Sequence, residues 1–161
     1  MNLKPKTTIV LGAIKHGINK FERIQKITQI KAEELNTILE ELESSKLVQV
    51  LEKKGLLGNK IEIIVTDGGS TKVDEQIHEL QSKWNQMSIL YKTKDKENLK
   101  QSMEDNKSFF PTMIFFGVMD MMMFSMMFSM IGMAMSSYVP VENIPDGVDS
   151  DNLDAETGEG I

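Results

Sequence analysis

FFPTMIFFGVMDMMMFSMMFSMIGMAM, residues 109–135, resembles no other stretch of the chain, and its reading decides the architecture. Of its 27 residues 20 are apolar, ten of them Met and six Phe, and Asp120 is its only charge. As one helix rising about 1.5 Å per residue it would reach roughly 40 Å, more than the roughly 30 Å hydrocarbon core of a bilayer. The six Phe with Ile114, Val118 and Ile131 favour insertion by about 3 to 5 kcal/mol, against a cost of about 2.5 to 3.5 for an Asp at the helix centre. Sliding the span to residues 121–139 removes that cost, because all 19 residues are then uncharged, with Asp120 at one boundary and Tyr138 near the other. The expectation is an apolar helix over 108–139 that crosses a membrane once, with Met121, Phe124, Phe128 and Ile131 in lipid.

Two other uses fit the same composition. Unbranched, polarizable Met adapts to many shapes, so the segment also suits a surface that grips apolar partner helices. A buried core helix is the third use. On a continuous helix Gly117, Ser125, Ser129, Gly132 and Ser136 share one arc, and small residues there permit close helix association. Met thioethers bind soft metals such as Cu(I), but the chain has no Cys and the segment has no nearby His, so neither metal nor cofactor is expected.

Working outward, the flanks differ in charge. Lys92, Lys94, Lys96, Lys100 and Lys107 precede the segment, and residues 136–161 hold seven acids and no base. Basic flanks stay in the cytoplasm, so the N-terminal side is expected inside. Residues 140–161 read as an acidic disordered tail. Residues 1–72 carry 12 basic and 9 acidic side chains, residues 73–135 carry 6 and 8, so a mildly basic N-terminal part precedes an increasingly acidic remainder. The N-terminus has a basic start but only a short apolar patch, a poor signal peptide.

Residues 7–16 read as a first helix capped by Thr7, residues 22–30 as a second with Ile24, Ile27 and Ile30 inward, and residues 32–45 as a third. In the third, Leu35, Ile38, Leu39 and Leu42 keep the spacing of a buried face. The period then changes: residues 47–51 and 61–65 are strand-like runs joined by a loop over 52–60, a β-hairpin. The fold class is mainly α with a small β-hairpin. Three helices followed by a hairpin is the layout of a winged helix-turn-helix over residues 1–69, whose third helix enters the major groove while the wing touches flanking backbone. A long helix and polar spacer follow over 70–107. Val73, Ile77, Leu80, Trp84, Met87 and Tyr91 form a heptad seam, suited to a homodimer or to packing back on the domain.

LNTILEELESSKLV (residues 35–48) is similar to the stretch in archaeal winged-helix regulators where the third helix runs into a Gly-Leu-Val strand start, with Lys46 in the place of Gly. VTDGG (residues 65–69) resembles the Leu-Thr-x-x-Gly element that closes their wing. The resemblance covers about residues 7–90 and implies a DNA-binding transcription regulator. The apolar segment resembles the Met-rich domain of signal recognition particle in composition alone.

Charge supports duplex DNA as a partner. Lys20, Arg23, Lys26 and Lys31 surround the second helix and the turn, Lys53, Lys54 and Lys60 lie on the hairpin, and such cations neutralise phosphates. Asn36, Thr37 and Glu40 are the base-facing candidates. Against DNA, the third helix exposes Glu33, Glu34, Glu40, Glu41 and Glu43 with no Arg or Lys to read guanine. That acidic face suits a protein partner instead, which makes the same fold an interaction adaptor. No enzyme is expected: His16 and His78 lie in no catalytic motif, and the Gly-rich pieces 54–60 and 67–70 lack the context of a phosphate loop.

Overall fold

A computed structural model describes residues 3–140; the expected acidic tail falls, beyond Pro140, outside the described residues. The chain is mainly helical with one two-stranded antiparallel hairpin and divides into two compact units, Met1–Ile77 and His78–Ile161. The boundary between these units lies inside a long helix.

In the first unit, α1 (Pro5–Lys15) starts two residues before the expected Thr7 cap. Pro5 sits in the first turn, where its fixed φ suits a helix and its missing N–H costs nothing. Thr7 and Thr8 are consequently inside the helix and buried, and Thr8 Oγ1 donates to Lys4 O at 3.1 Å. α2 (Phe21–Thr28) ends earlier than expected because Gln29 turns left-handed at φ 62. Ile24 and Ile30 are buried, but Ile27 is 44% exposed. Three residues on from Ile24 it points about 60° away, and this short helix buries a single row.

α3 (Ala32–Ser44) buries Leu35, Ile38, Leu39 and Leu42 as its spacing demands. Lys46 follows at φ 61, a left-handed conformation that a residue with a side chain rarely adopts. β1 (Val48–Gly55) pairs with β2 (Gly58–Val65) in unbroken register from Val48↔Val65 to Gly55↔Gly58. The loop expected over 52–60 is therefore mostly ladder, and the connection is Leu56 and Leu57 alone. Polar cross-strand pairs carry that extension: Asn59 Nδ2 donates to Glu52 at 2.8 Å, and Lys53 meets Glu62 at 3.0 Å. Val48 and Ile63 are the buried side chains of the hairpin, and Ile63 N–H donates to Asn19 O, tying the α1–α2 link to β2 at 2.9 Å.

Thr66 joins hairpin to α4 (Asp67–Lys92). Its Oγ1 donates to Lys46 O at 2.8 Å and accepts from Gly69 N–H at 3.0 Å, capping the helix while holding the base of the hairpin. A Cβ on Gly69 would lie 2.0 Å from Leu47 O, so no other residue fits without displacing backbone. Lys15 reaches Asp74 at 2.5 Å, fastening α1 to the start of α4.

The second unit corrects two expectations. The long helix does not run to 107. Lys94 turns left-handed at φ 60 and Asp95, accepting from Asn98 N–H at 3.3 Å, caps a separate α5 (Lys96–Asn106). Nor does the apolar stretch form one helix. After a 3-10 turn (Lys107–Phe109), α6 (Phe110–Phe116) stops at Gly117, φ 64, and α7 (Met121–Ile131) stops at Gly132, φ 74. Asp120 is the N-cap of α7, accepting from Met122 N–H at 3.0 Å and Met123 N–H at 3.2 Å. Among the described residues no helix is long and apolar enough to cross a membrane. Of the small residues expected on one arc, Ser125 and Ser129 share a face of α7 and Gly132 ends that helix, whereas Gly117 and Ser136 lie outside it.

The apolar side chains go into the unit's own core. Phe110, Met113, Phe124, Met127, Phe128, Ile131 and Met135 are buried with Leu99 and Met103, and Met121 packs at the edge. The rings of Phe124 and Phe110 meet edge-on at 4.9 Å, those of Phe124 and Phe128 at 4.8 Å. Leu80, Trp84 and Met87, three residues of the heptad seam, belong to this core as well. Half of the seam is spent inside one chain; Val73 is buried in the first unit, and Ile77 and Tyr91 are partly covered. Tyr138 Oη donates to Glu104 at 2.5 Å, joining the last turn (Met135–Ser137) to α5.

Candidate functional site

Between α3 and the hairpin lies a groove of about 610 Å³. Its floor is apolar: Phe21 from α2, Leu39 from α3, and Val50, Ile61 and Ile63 from the hairpin. Strand alternation puts Val50, Ile61 and Ile63 on one face, and only Ile63 is deep enough to be buried. The rim is charged, with Lys20 and Glu22 at the start of α2, Asn36, Glu40 and Glu43 on α3, and Asn59 and Lys60 on β2.

The groove thus brings together four of the ten residues read as DNA contacts: Lys20, Asn36, Glu40 and Lys60. Arg23, Lys26, Lys31, Thr37, Lys53 and Lys54 lie elsewhere on the unit, all exposed. Lys53 is engaged by Glu62, and Thr37 Oγ1 donates back to Glu33 O at 3.2 Å. Among the described residues the other six cations have no carboxylate within ion-pair distance. Lys20 and Lys31 occupy the N-cap positions of α2 and α3, where Ser, Thr, Asp or Asn would ordinarily accept from the first-turn amides. Neither helix start has a side-chain cap hydrogen bond, which leaves first-turn amides without a side-chain acceptor beside a lysine, a combination that attracts anions.

The acidic face of α3 is partly neutralised. Lys6 Nζ reaches both carboxylate oxygens of Glu34, at 3.0 and 3.1 Å, across from α1. Glu33, Glu40, Glu41 and Glu43 remain exposed and unpaired among the described residues. His16 Nδ1 lies 2.7 Å from Gly12 O, and His78 is on the surface of α4. No group of three or more His, Asp or Glu among the described residues is placed to hold a metal ion.

Sequence reasoning misses the apolar floor, because Val50 and Ile61 read as strand residues and Phe21 falls between the two expected helices. It also misses the hairpin tip, where Leu56 and Leu57 are 107% and 99% exposed. The signal was present in Lys-Lys-Gly-Leu-Leu-Gly: two apolar residues between glycines, within a polar run.

Compared with known proteins, the chain matches no family model, no curated protein and no solved structure.

Proposed function

We propose that the first unit is a winged-helix module that binds duplex DNA and regulates transcription. The observation carrying this reading is the groove that gathers Lys20 and Lys60 around Asn36 and Glu40, with unpaired cations continuing along α2 and the hairpin. Lys20, Arg23, Lys26 and Lys31 hold phosphates on one side, with the uncapped first turns of α2 and α3 contributing N–H donors. Lys54 and Lys60 hold phosphates on the other. Asn36 is the base reader best matched to adenine, and Glu40 accepts from cytosine. Lys6 supports this indirectly by neutralising Glu34 beside the path of the backbone.

Anisotropy titration of the full chain against a labelled duplex, repeated over salt concentrations, tests it. Lys54→Ala with Lys60→Ala should lower the log–log salt slope by about 1.8, two phosphates at roughly 0.9 each. An unchanged slope removes the hairpin from the DNA site.

One observation favours a second reading. The groove floor is apolar and four unpaired carboxylates stand along α3, which fits a docking surface for a basic, apolar-faced protein segment. Glu41→Lys with Glu43→Lys, which leaves the base-facing Glu40 in place, separates the two: it strengthens DNA affinity under the first and abolishes partner capture under the second.

A further inference from the structure

The hairpin is longer than its packing requires. Ile63, paired with Val50, is its last buried residue toward the tip, and from there to Gly55 the ladder continues for five residues, roughly 17 Å at about 3.4 Å each. At its end Leu56 and Leu57 are fully exposed, although two-residue hairpin tips ordinarily carry Asn, Asp or Gly. Just behind them stand Lys54 and Lys60, neither paired with a carboxylate among the described residues. Glu52 is engaged by Asn59, and Glu62 by Lys53. The arm therefore presents an apolar point followed by free ammonium groups. Its complement has anionic edges about an apolar interior.

We propose that this tip is a wedge for duplex DNA, Leu56 and Leu57 entering the minor groove and partly unstacking a base step while Lys54 and Lys60 grip the bordering phosphates. This rests on the DNA reading above and deepens it: the duplex would be kinked. Aliphatic side chains pushed between base pairs bend the helix, most readily at flexible pyrimidine–purine steps. An anionic bilayer presents similar chemistry but is less well matched. Two leucines bury fewer methylenes than a single myristoyl chain, itself only a marginal anchor. The cations around the α3 groove also continue the charge along a linear partner rather than at a point.

The test uses the full chain and a duplex of about 25 base pairs with a central TA step, dye-labelled at both ends, read by anisotropy for binding and by energy transfer for bending. Wild type should bind and bring the ends closer. Leu56→Ser with Leu57→Ser, at sites that cover no other side chain, should abolish the bend and weaken binding on the order of tenfold. The salt slope should stay unchanged, because no phosphate contact is lost. An unaltered thermal melt shows that the variant is folded. Binding without bending, with the Ser variant equal to wild type, overturns the wedge and leaves the DNA reading standing. Absence of binding by wild type overturns both. Tip-dependent capture by phosphatidylserine vesicles, without bending of DNA, reassigns the tip to a membrane surface and overturns the proposal.

Discussion

Single residues show where the chain departs from its best local solution. The amide Nε2 of Gln76 is buried in α4 without a hydrogen-bond partner among the described residues. An orphaned buried donor costs about 1 to 3 kcal/mol, so Gln76→Leu should stabilise the protein by about 1 kcal/mol, seen as a higher denaturant midpoint at unchanged m-value. Tyr138 is a residue whose environment predicts a pH response. Burial and the Glu104 carboxylate, which accepts its hydrogen bond, push its pKa up to about 12, above the ordinary value near 10. A group raised on folding stabilises the protein fully below its unfolded pKa. The contribution is lost as pH climbs from 10 through 12. Glu104 is held below its ordinary 4.5, chiefly by the hydrogen bond from Tyr138, so its contribution is present above 4.5 and fades as pH falls below that value. Melting temperature should therefore drop at both extremes, and Tyr138→Phe should flatten both limbs; a wild-type profile in the variant would show that the pair contributes nothing.

Among the elements, helices with a one-sided apolar row were legible and breaks in apolar runs were not. Leu35, Ile38, Leu39 and Leu42 specify α3 because only a 3.6-residue period puts all four on one face. The hairpin was legible in kind but not in length, since Glu52, Lys53, Lys54 and Asn59 carry no hydrophobic alternation and are held by cross-strand polar pairs. The groove was half visible for the same reason: its charges stood out, while its floor comes from residues far apart in the chain. In the Met/Phe stretch hydropathy was informative and misleading together. It correctly marked residues that avoid water, yet it could not distinguish lipid from a protein core. Asp120 decides locally. In a spanning helix it is a penalty, whereas at the start of α7 it satisfies two amides. Asp120→Ala should thus cost about 1 kcal/mol of stability, measured by chemical denaturation, with Asp120→Asn retaining most of it. A gain in stability for Asp120→Ala would count against the cap.

At the scale of the whole molecule, two kinds of unit share one chain. The first displays an apolar groove and a set of cations, six of which have no carboxylate partner among the described residues, on an ordinary aliphatic core of Leu, Ile and Val. The second hides its most distinctive residues, and its core is built from thioethers and rings. That choice of core atom exposes the molecule to oxidants. Met87, Met103, Met113, Met127 and Met135 are fully buried, whereas Met122 and Met126 on α7 are 71% and 47% exposed. Hydrogen peroxide should convert Met122 and Met126 to sulfoxides first, detectable by peptide mass spectrometry, while the fold persists. Oxidation of the buried five requires opening of the unit, and each sulfoxide formed there puts a bulkier, polar S=O among apolar side chains packed for a thioether. Damage is then self-reinforcing: sulfoxidation would pass from gradual and reversible by reductases at the surface to abrupt collapse once the first interior sulfur is reached.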